Sequence, residues 1–220
     1  LTMMHGFLTM EGWIPLAGDW NGDGVVTPGF FHRATNLFHL RNSNTAGADN
    51  VIFQFAAPSA TSIPIAGDWD GNRTTTVGFY RPETGQFLLR NRNTSGGAQS
   101  IFIFGAANSG ALPLVGDWNG DGRQTIGLFH SSTSTFSLRN SNTAGSADIT
   151  FNFGSANAGW LPIAGDWNGD LISGVGLYRP TPSTFFLRNA LTTGGADLTF
   201  NFIVPAGTGW KPLAGQWDGL

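Results

Sequence analysis

The sequence predicts an all-β protein, a β-propeller built from tandem four-stranded repeats. Three observations carry this expectation. Gly-Asp-Trp recurs every 49 residues, at Gly18-Asp19-Trp20, Gly67-Asp68-Trp69, Gly116-Asp117-Trp118 and Gly165-Asp166-Trp167. Leu-Arg-Asn keeps the same period from Leu40, Leu89, Leu138 and Leu187. So does a Phe-x-Phe pair, at Phe53/Phe55, Phe102/Phe104, Phe151/Phe153 and Phe200/Phe202. Three markers in one register over four copies mark a supersecondary unit repeated in tandem. A decayed copy, Gly215-Gln216-Trp217, follows after a step of 50.

Each unit reads as four strands. The first is Ile-Pro-Leu-Ala-Gly-Asp-Trp in the leading copy, Ile14 to Trp20, and an Asp/Asn/Gly loop follows it. The second ends in an aromatic residue, Phe31, Tyr80, Phe129 or Tyr178. A turn such as Arg81-Pro82-Glu83-Thr84-Gly85 leads into the third strand. There Phe38 and Leu40 alternate, as do Phe87/Leu89, Phe136/Leu138 and Phe185/Leu187. A period of two puts both on one buried face. The fourth strand carries the Phe-x-Phe pair in the same way, and a Gly/Ala/Asn-rich loop closes the unit. Four short strands per 40–50 residues is the arithmetic of a propeller blade. One such sheet has two apolar faces and needs neighbours to cover them.

The unit boundaries follow. Full repeats are expected over 14–62, 63–111, 112–160 and 161–210. Residues 1–13 align with 198–210 and are expected to form the last strand of a blade. Residues 211–220 are expected to form only the first strand of a further repeat. The whole chain is then one repeat domain with four full blades and two partial ones. The split blade calls for completion by a longer parent chain or by another copy in a homo-oligomer, since exposed sheet edges invite pairing.

Composition agrees with short strands and frequent turns. Of the 220 residues, 32 are Gly and 11 are Pro, and only 11% are charged, against about 25% in an ordinary domain. A net charge of −3 gives no pull toward nucleic acid. There is no cysteine, so disulfides and thiolate chemistry are excluded. No apolar run reaches the length of a membrane span. The leading residues, Leu1 to His5, show no signal-peptide pattern.

The loop after the first strand is the chemically suggestive segment. It presents oxygen side chains at its first, third and fifth positions: Asp19, Asn21 and Asp23; Asp68, Asp70 and Asn72; Asp117, Asn119 and Asp121; Asp166, Asn168 and Asp170. Such spacing wraps a hard cation such as calcium, with glycine at position six for the sharp turn. The same residues also serve as metal-free turn formers, because Asp and Asn bond to nearby backbone N–H groups. The EF-hand reading fails, since its twelfth position falls on Phe30 and no helix pattern flanks the loop.

Gly18 to Gly24 and Gly116 to Gly122 resemble the Gly-Asp-x-Asn-Gly-Asp-Gly loop of FG-GAP or VCBS-type repeats, the integrin-α-like propeller units. The resemblance covers the four full units. It implies calcium loops and a role in adhesion or glycan binding, on secreted or surface proteins. The chain departs from the pattern at position nine, which is Thr27, Thr76, Thr125 and Gly174, and at position six, which is Arg73 in the second loop and Leu171 in the fourth. The first and third loops are therefore the best metal candidates.

Other repeated residues read two ways. Arg41, Arg90, Arg139 and Arg188 either brace neighbouring loops or form an anion-binding rim. The second-strand aromatics with His32, Arg81, His130 and Arg179 are either core with polar tips or a sugar-stacking fork. Asp49, Asp148 and Asp197 read as repeat-borne. The four histidines lack metal-ligand spacing, and no Gly-x-Ser-x-Gly, phosphate-loop or paired-carboxylate motif occurs. The expectation is a non-catalytic extracellular binding or adhesion module, lectin-like or protein-binding, with weak calcium loops. The alternative is a structural repeat spacer or a self-assembling surface or filament subunit with no small ligand.

Overall fold

The computed structural model describes residues 12–202 and 211–217. Sixteen strands form four antiparallel sheets of four, and no helix occurs among the described residues. The first sheet holds β1 (Trp13–Gly18), β2 (Thr27–His32), β3 (Leu37–Leu40) and β4 (Val51–Gln54). The second holds β5 (Ile63–Gly67), β6 (Thr76–Arg81), β7 (Gln86–Leu89) and β8 (Ser100–Ile103). The third holds β9 (Leu112–Gly116), β10 (Thr125–His130), β11 (Thr135–Leu138) and β12 (Ile149–Asn152). The fourth holds β13 (Leu161–Gly165), β14 (Gly174–Arg179), β15 (Thr184–Arg188) and β16 (Leu198–Asn201). Each sheet is an up-and-down meander, and the innermost strands β1, β5, β9 and β13 lie side by side in a propeller arrangement.

The alternation seen in the sequence sets the packing. Register places Phe31 opposite Phe38, and Phe38 opposite Phe53. Their rings form a row across the sheet, with centroids 4.8 and 5.4 Å apart. The row recurs as Tyr80–Phe87–Phe102, Phe129–Phe136–Phe151 and Tyr178–Phe185–Phe200. Each ring pair adds about 0.5–1.5 kcal/mol beyond its burial. The row then meets the opposite face of the next sheet. Phe79 lies 5.1, 5.4 and 5.5 Å from Phe31, Phe38 and Phe55 of the sheet before it.

Tryptophan fills the inner end of each seam. Trp20, Trp69 and Trp118 are buried, at 4%, 6% and 2% exposure. Each ring folds back over the glycine two residues before it. A Cβ on Gly116 would stand 2.6 Å from the Trp118 ring and 2.8 Å from Ser173 of the next sheet. That collision explains why glycine stands two residues before each of these tryptophans. Trp167 differs from its three equivalents and is only half-buried.

Backbone and side-chain bonds lock each seam at the same place. The Thr75 N–H donates to the Asp19 carbonyl at 2.6 Å, and the Asp19 N–H donates to Thr75 Oγ1 at 3.0 Å. Gln124 pairs in the same double way with Asp68, and Ser173 with Asp117. Residues 211–217 lie against the first sheet. The Gln216 carbonyl accepts from the Val26 N–H at 2.8 Å, and the Trp217 carbonyl accepts from Asn44 Nδ2 at 3.3 Å.

The strand limits differ slightly from expectation. β1 opens at Trp13 and ends at Gly18, because Asp19 leaves the sheet to hold the following loop. The last-strand reading of residues 1–13 otherwise lies outside the described residues.

Candidate functional site

The four Asp loops share one internal geometry. The leading carboxylate accepts three N–H bonds from its own loop. For Asp19 the donors are Gly22, Asp23 and Gly24, at 2.7, 3.1 and 2.7 Å. Asp68, Asp117 and Asp166 repeat the pattern. The fifth position accepts the N–H two residues on: Val25 to Asp23, Thr74 to Asn72, Arg123 to Asp121 and Ile172 to Asp170. In three loops the third position reaches across as well. Asn21 Nδ2 donates to Asp23 at 2.9 Å, Asn119 to Asp121 at 3.0 Å and Asn168 to Asp170 at 2.9 Å.

In three loops the third and fifth side chains thus meet, while the leading carboxylate closes the loop on its backbone N–H groups. Among the described residues, no group of three or more His, Asp or Glu converges as a metal cluster. In the first loop the third and fifth side chains lie close together, while both oxygens of the leading Asp19 carboxylate already accept N–H bonds. A half-turn of the Asn21 amide replaces the Nδ2 contact at 2.9 Å by two oxygens at about that spacing. Oxygens at that distance can share one ion with ligand bonds of about 2.3–2.6 Å.

The second loop holds the same two carboxylates and one amide in a different order. Its third and fifth residues are Asp70 and Asn72, so its first and third positions are both carboxylates. Burial raises the Asp68 carboxyl above its usual range, and the neighbouring Asp70 carboxyl adds to the rise. The Asn21 amide and the Val25 N–H instead hold Asp23 below the usual range, and Asn168 and Ile172 do the same for Asp170.

The loop residue at position nine turns away from the loop. Thr27, Thr76 and Thr125 are buried; the Thr76 and Thr125 hydroxyls donate to the carbonyl of the glycine before the Asp at 3.3 and 3.4 Å, and the Thr27 hydroxyl lies 3.2 Å from that of Gly18 and 2.6 Å from the Arg41 carbonyl. They belong to the sheet and not to a cation shell. At position six, Gly24 and Gly122 have φ of 88° and 83°, and Arg73 and Leu171 adopt the same left-handed backbone at 69°. A non-glycine residue there costs about 1–2 kcal/mol. Leu171 is also 77% exposed. Leu171→Gly and Arg73→Gly are expected to raise stability by roughly 0.5–1 kcal/mol each, read as higher urea midpoints.

Asp68, Asp117 and Asp166 line one mouth of the central channel, a cavity of about 450 Å³, together with Arg73, Gln124 and Gln216. The three loops of the second to fourth sheets therefore face a shared space.

The other repeated residues resolve as scaffold. Arg90 donates to the carbonyls of Thr94, Ser95 and Gly97 and to Thr94 Oγ1. Arg139 and Arg188 clasp their own loops in the same pattern, and Arg41 closes its loop through Thr45, Ala48 and Ser43. Most of each guanidinium's donors are used inside its own loop, which is the bracing role. Phe31, Tyr80, Phe129 and Tyr178 are at most 3% exposed, so their rings offer no face to a sugar.

The repeat-borne acids need one correction. Asp148 and Asp197 accept the N–H of Asn140 and Asn189, but the first-sheet counterpart is Asn50, which accepts from Asn42. Asp49 stands one residue out of register and pairs with His39 Nδ1 at 2.9 Å.

The seam residues Thr75, Gln124 and Ser173 escaped the sequence reading because their identities differ. Their shared signal is a side-chain oxygen at one repeat position. No family model, no curated protein and no solved structure matches the chain.

Proposed function

We propose that the chain is a non-catalytic binding or adhesion module of FG-GAP/VCBS type, extracellular or on a cell surface, with weak calcium loops and a glycan or protein ligand. One observation supports this above all. The leading aspartates of three loops, Asp68, Asp117 and Asp166, line a common channel mouth, and in the second loop Asp70 lies beside Asp68. A bound cation relieves that repulsion and ties the three oxygen-bearing side chains to one centre. The first and third loops contribute two carboxylates and an amide each, with glycine at position six.

Calcium held at 10⁻⁴–10⁻³ M would stabilise the fold by about 1.4–2.7 kcal/mol per loop at roughly 10 mM ion. Thermal melting with added calcium tests this, and Tm should rise by several degrees. Asp70→Asn together with Asp23→Asn and Asp121→Asn should remove most of the rise while leaving the leading carboxylates in place. An unchanged Tm at that concentration would sink the calcium reading. A glycan array run with and without EDTA then separates a lectin from a protein-binding module.

A structural reading is favoured by one separate feature. Residues 211–217 bond to the first sheet at the register used by the other seams. We read them as the first strand of a fifth sheet in a five-position ring. The rest of that sheet would come from a longer parent chain or a neighbouring subunit.

A further inference from the structure

Each sheet ends in a fourth strand that pairs on one side only, so β4, β8, β12 and β16 are edges. Three of these edges are blunted alike. An acid stands within two residues of the start of β4, β12 and β16, at Asp49, Asp148 and Asp197. The last residue of each is an amide that bonds back to its own sheet. Gln54 Nε2 donates to the Thr35 carbonyl at 3.1 Å, Asn152 Nδ2 donates to the Thr133 carbonyl at 3.0 Å, and Asn201 Oδ1 accepts from Thr184 Oγ1 at 2.9 Å. In two of them the outward main chain is occupied as well. The Gln54 N–H donates to Ser95 Oγ and the Asn152 N–H to Thr193 Oγ1, each on the next sheet's loop. Charges and occupied edge groups keep a sheet from pairing with other chains.

The edge of the second sheet lacks all of these. Gln99 precedes β8, and no charged residue occurs between Arg92 and Asp117. Ile103 takes the place of the amide, and Ala144 takes the place of the Ser95 and Thr193 hydroxyls. Ile101 and Ile103 are 57% and 55% exposed, while Phe102 between them is buried. The register that turns the Gln54 and Asn152 N–H groups outward does the same for Ile103 and, two residues back, for Ile101.

We infer that β8 is a self-association edge, to which a second copy of this chain adds its own β8 in antiparallel pairing about a twofold axis. The occupant follows from the edge itself. Ile101-Phe102-Ile103 reads the same in both directions. A twofold at Phe102 sets Ile101 of one copy opposite Ile103 of the other, twice over. Each of those pairs exchanges both N–H···O bonds. The four isoleucines then meet on one face as cross-strand pairs. Such a contact is self-complementary and closes at two copies. Identical uncharged edges approach without like-charge repulsion, whereas β4, β12 and β16 each bring an acid. A four-residue edge is small beside the roughly 1,200–2,000 Å² of a stable interface, so the dimer belongs to the weak class. It forms at the rim, away from the channel lined by the innermost strands.

Sedimentation equilibrium of the 220-residue chain, at concentrations up to about 1 mM, tests this. A monomer–dimer equilibrium is expected, with amide exchange at Ile101 and Ile103 slowed about ten-fold or more in the concentrated sample. Ile101→Lys with Ile103→Lys should leave only monomer, and Ile101→Glu with Ile103→Glu should do the same. An equimolar mixture of these two variants should restore the dimer, which also shows that both are folded. Ile101→Lys with Ile103→Glu in one chain reads the direction of pairing. Antiparallel strands set opposite charges together and keep the dimer, whereas in-register parallel strands set like charges together and lose it. A strictly monomeric unmutated chain overturns the proposal. So does a dimer that the two-lysine variant leaves intact, because the contact then lies elsewhere. Failure of the mixed variants to recover the dimer overturns it too, as does loss of the dimer in the lysine–glutamate chain.

Discussion

Trp118→Ala is expected to lower the unfolding free energy by about 3–5 kcal/mol, the cost of removing a buried large aromatic side chain. The ring lies at 2% exposure in the seam between the third and fourth sheets, within a cluster holding Leu114, Phe136, Val175 and Leu177. Nothing collapses easily into the space it leaves, because Gly116 beneath it has no side chain to lean in. Trp167→Ala provides the internal control. The same residue type at the same repeat position is half-buried there, so its loss should cost clearly less. Denaturant titration of both variants measures the difference. Equal losses would mean that the seam is not where the tryptophan acts.

Asp19→Ala should cost about 2–3 kcal/mol without any metal present. Its carboxylate closes the first loop through three N–H bonds, and bonds to a charged acceptor are worth about 1.5–3 kcal/mol each before the exposed loop regains water. Asp19→Asn should cost less, because the amide oxygen keeps the Gly22 and Asp23 donors and only the Gly24 bond loses its acceptor. Urea midpoints measured in EDTA give the comparison. If Asp19→Ala is silent in EDTA, the loop does not depend on that carboxylate. The result also sets the design of any calcium experiment. Alanine at the leading position removes the loop and the ligand together, so the third and fifth positions are the ones to vary.

The sequence announced the parts of this fold that repeat in identity. Phe38, Phe87, Phe136 and Phe185 stand every 49 residues within a period-two pattern, and they form the aromatic rows. What it concealed depends on the neighbouring sheet. Thr75, Gln124 and Ser173 do one job with three residue types, so no motif marks them. Trp167 shares Gly-Asp-Trp-Asn-Gly-Asp with Trp118, yet it is more exposed, and Gly174 lies against its ring where the third unit has Thr125. Thr27 looked like a loop position by counting, but the strand begins there and turns its hydroxyl inward. Arg90 was ambiguous for another reason. Its carbonyl partners follow from the shape of a loop, which no spacing rule records.

The double bond at each seam has an evolutionary consequence. Thr75, Gln124 and Ser173 have side chains of different length, yet their oxygens meet the same N–H at 2.9–3.0 Å. In these three seams the position supplies one oxygen acceptor while its size varies. Its backbone N–H supplies the other half of the contact whatever the residue, even where it is Val26. A newly duplicated unit therefore meets a compatible neighbour on either side before any interface has been refined. Copy number can grow by recombination at the DNA level first, with the seam residues drifting apart afterwards.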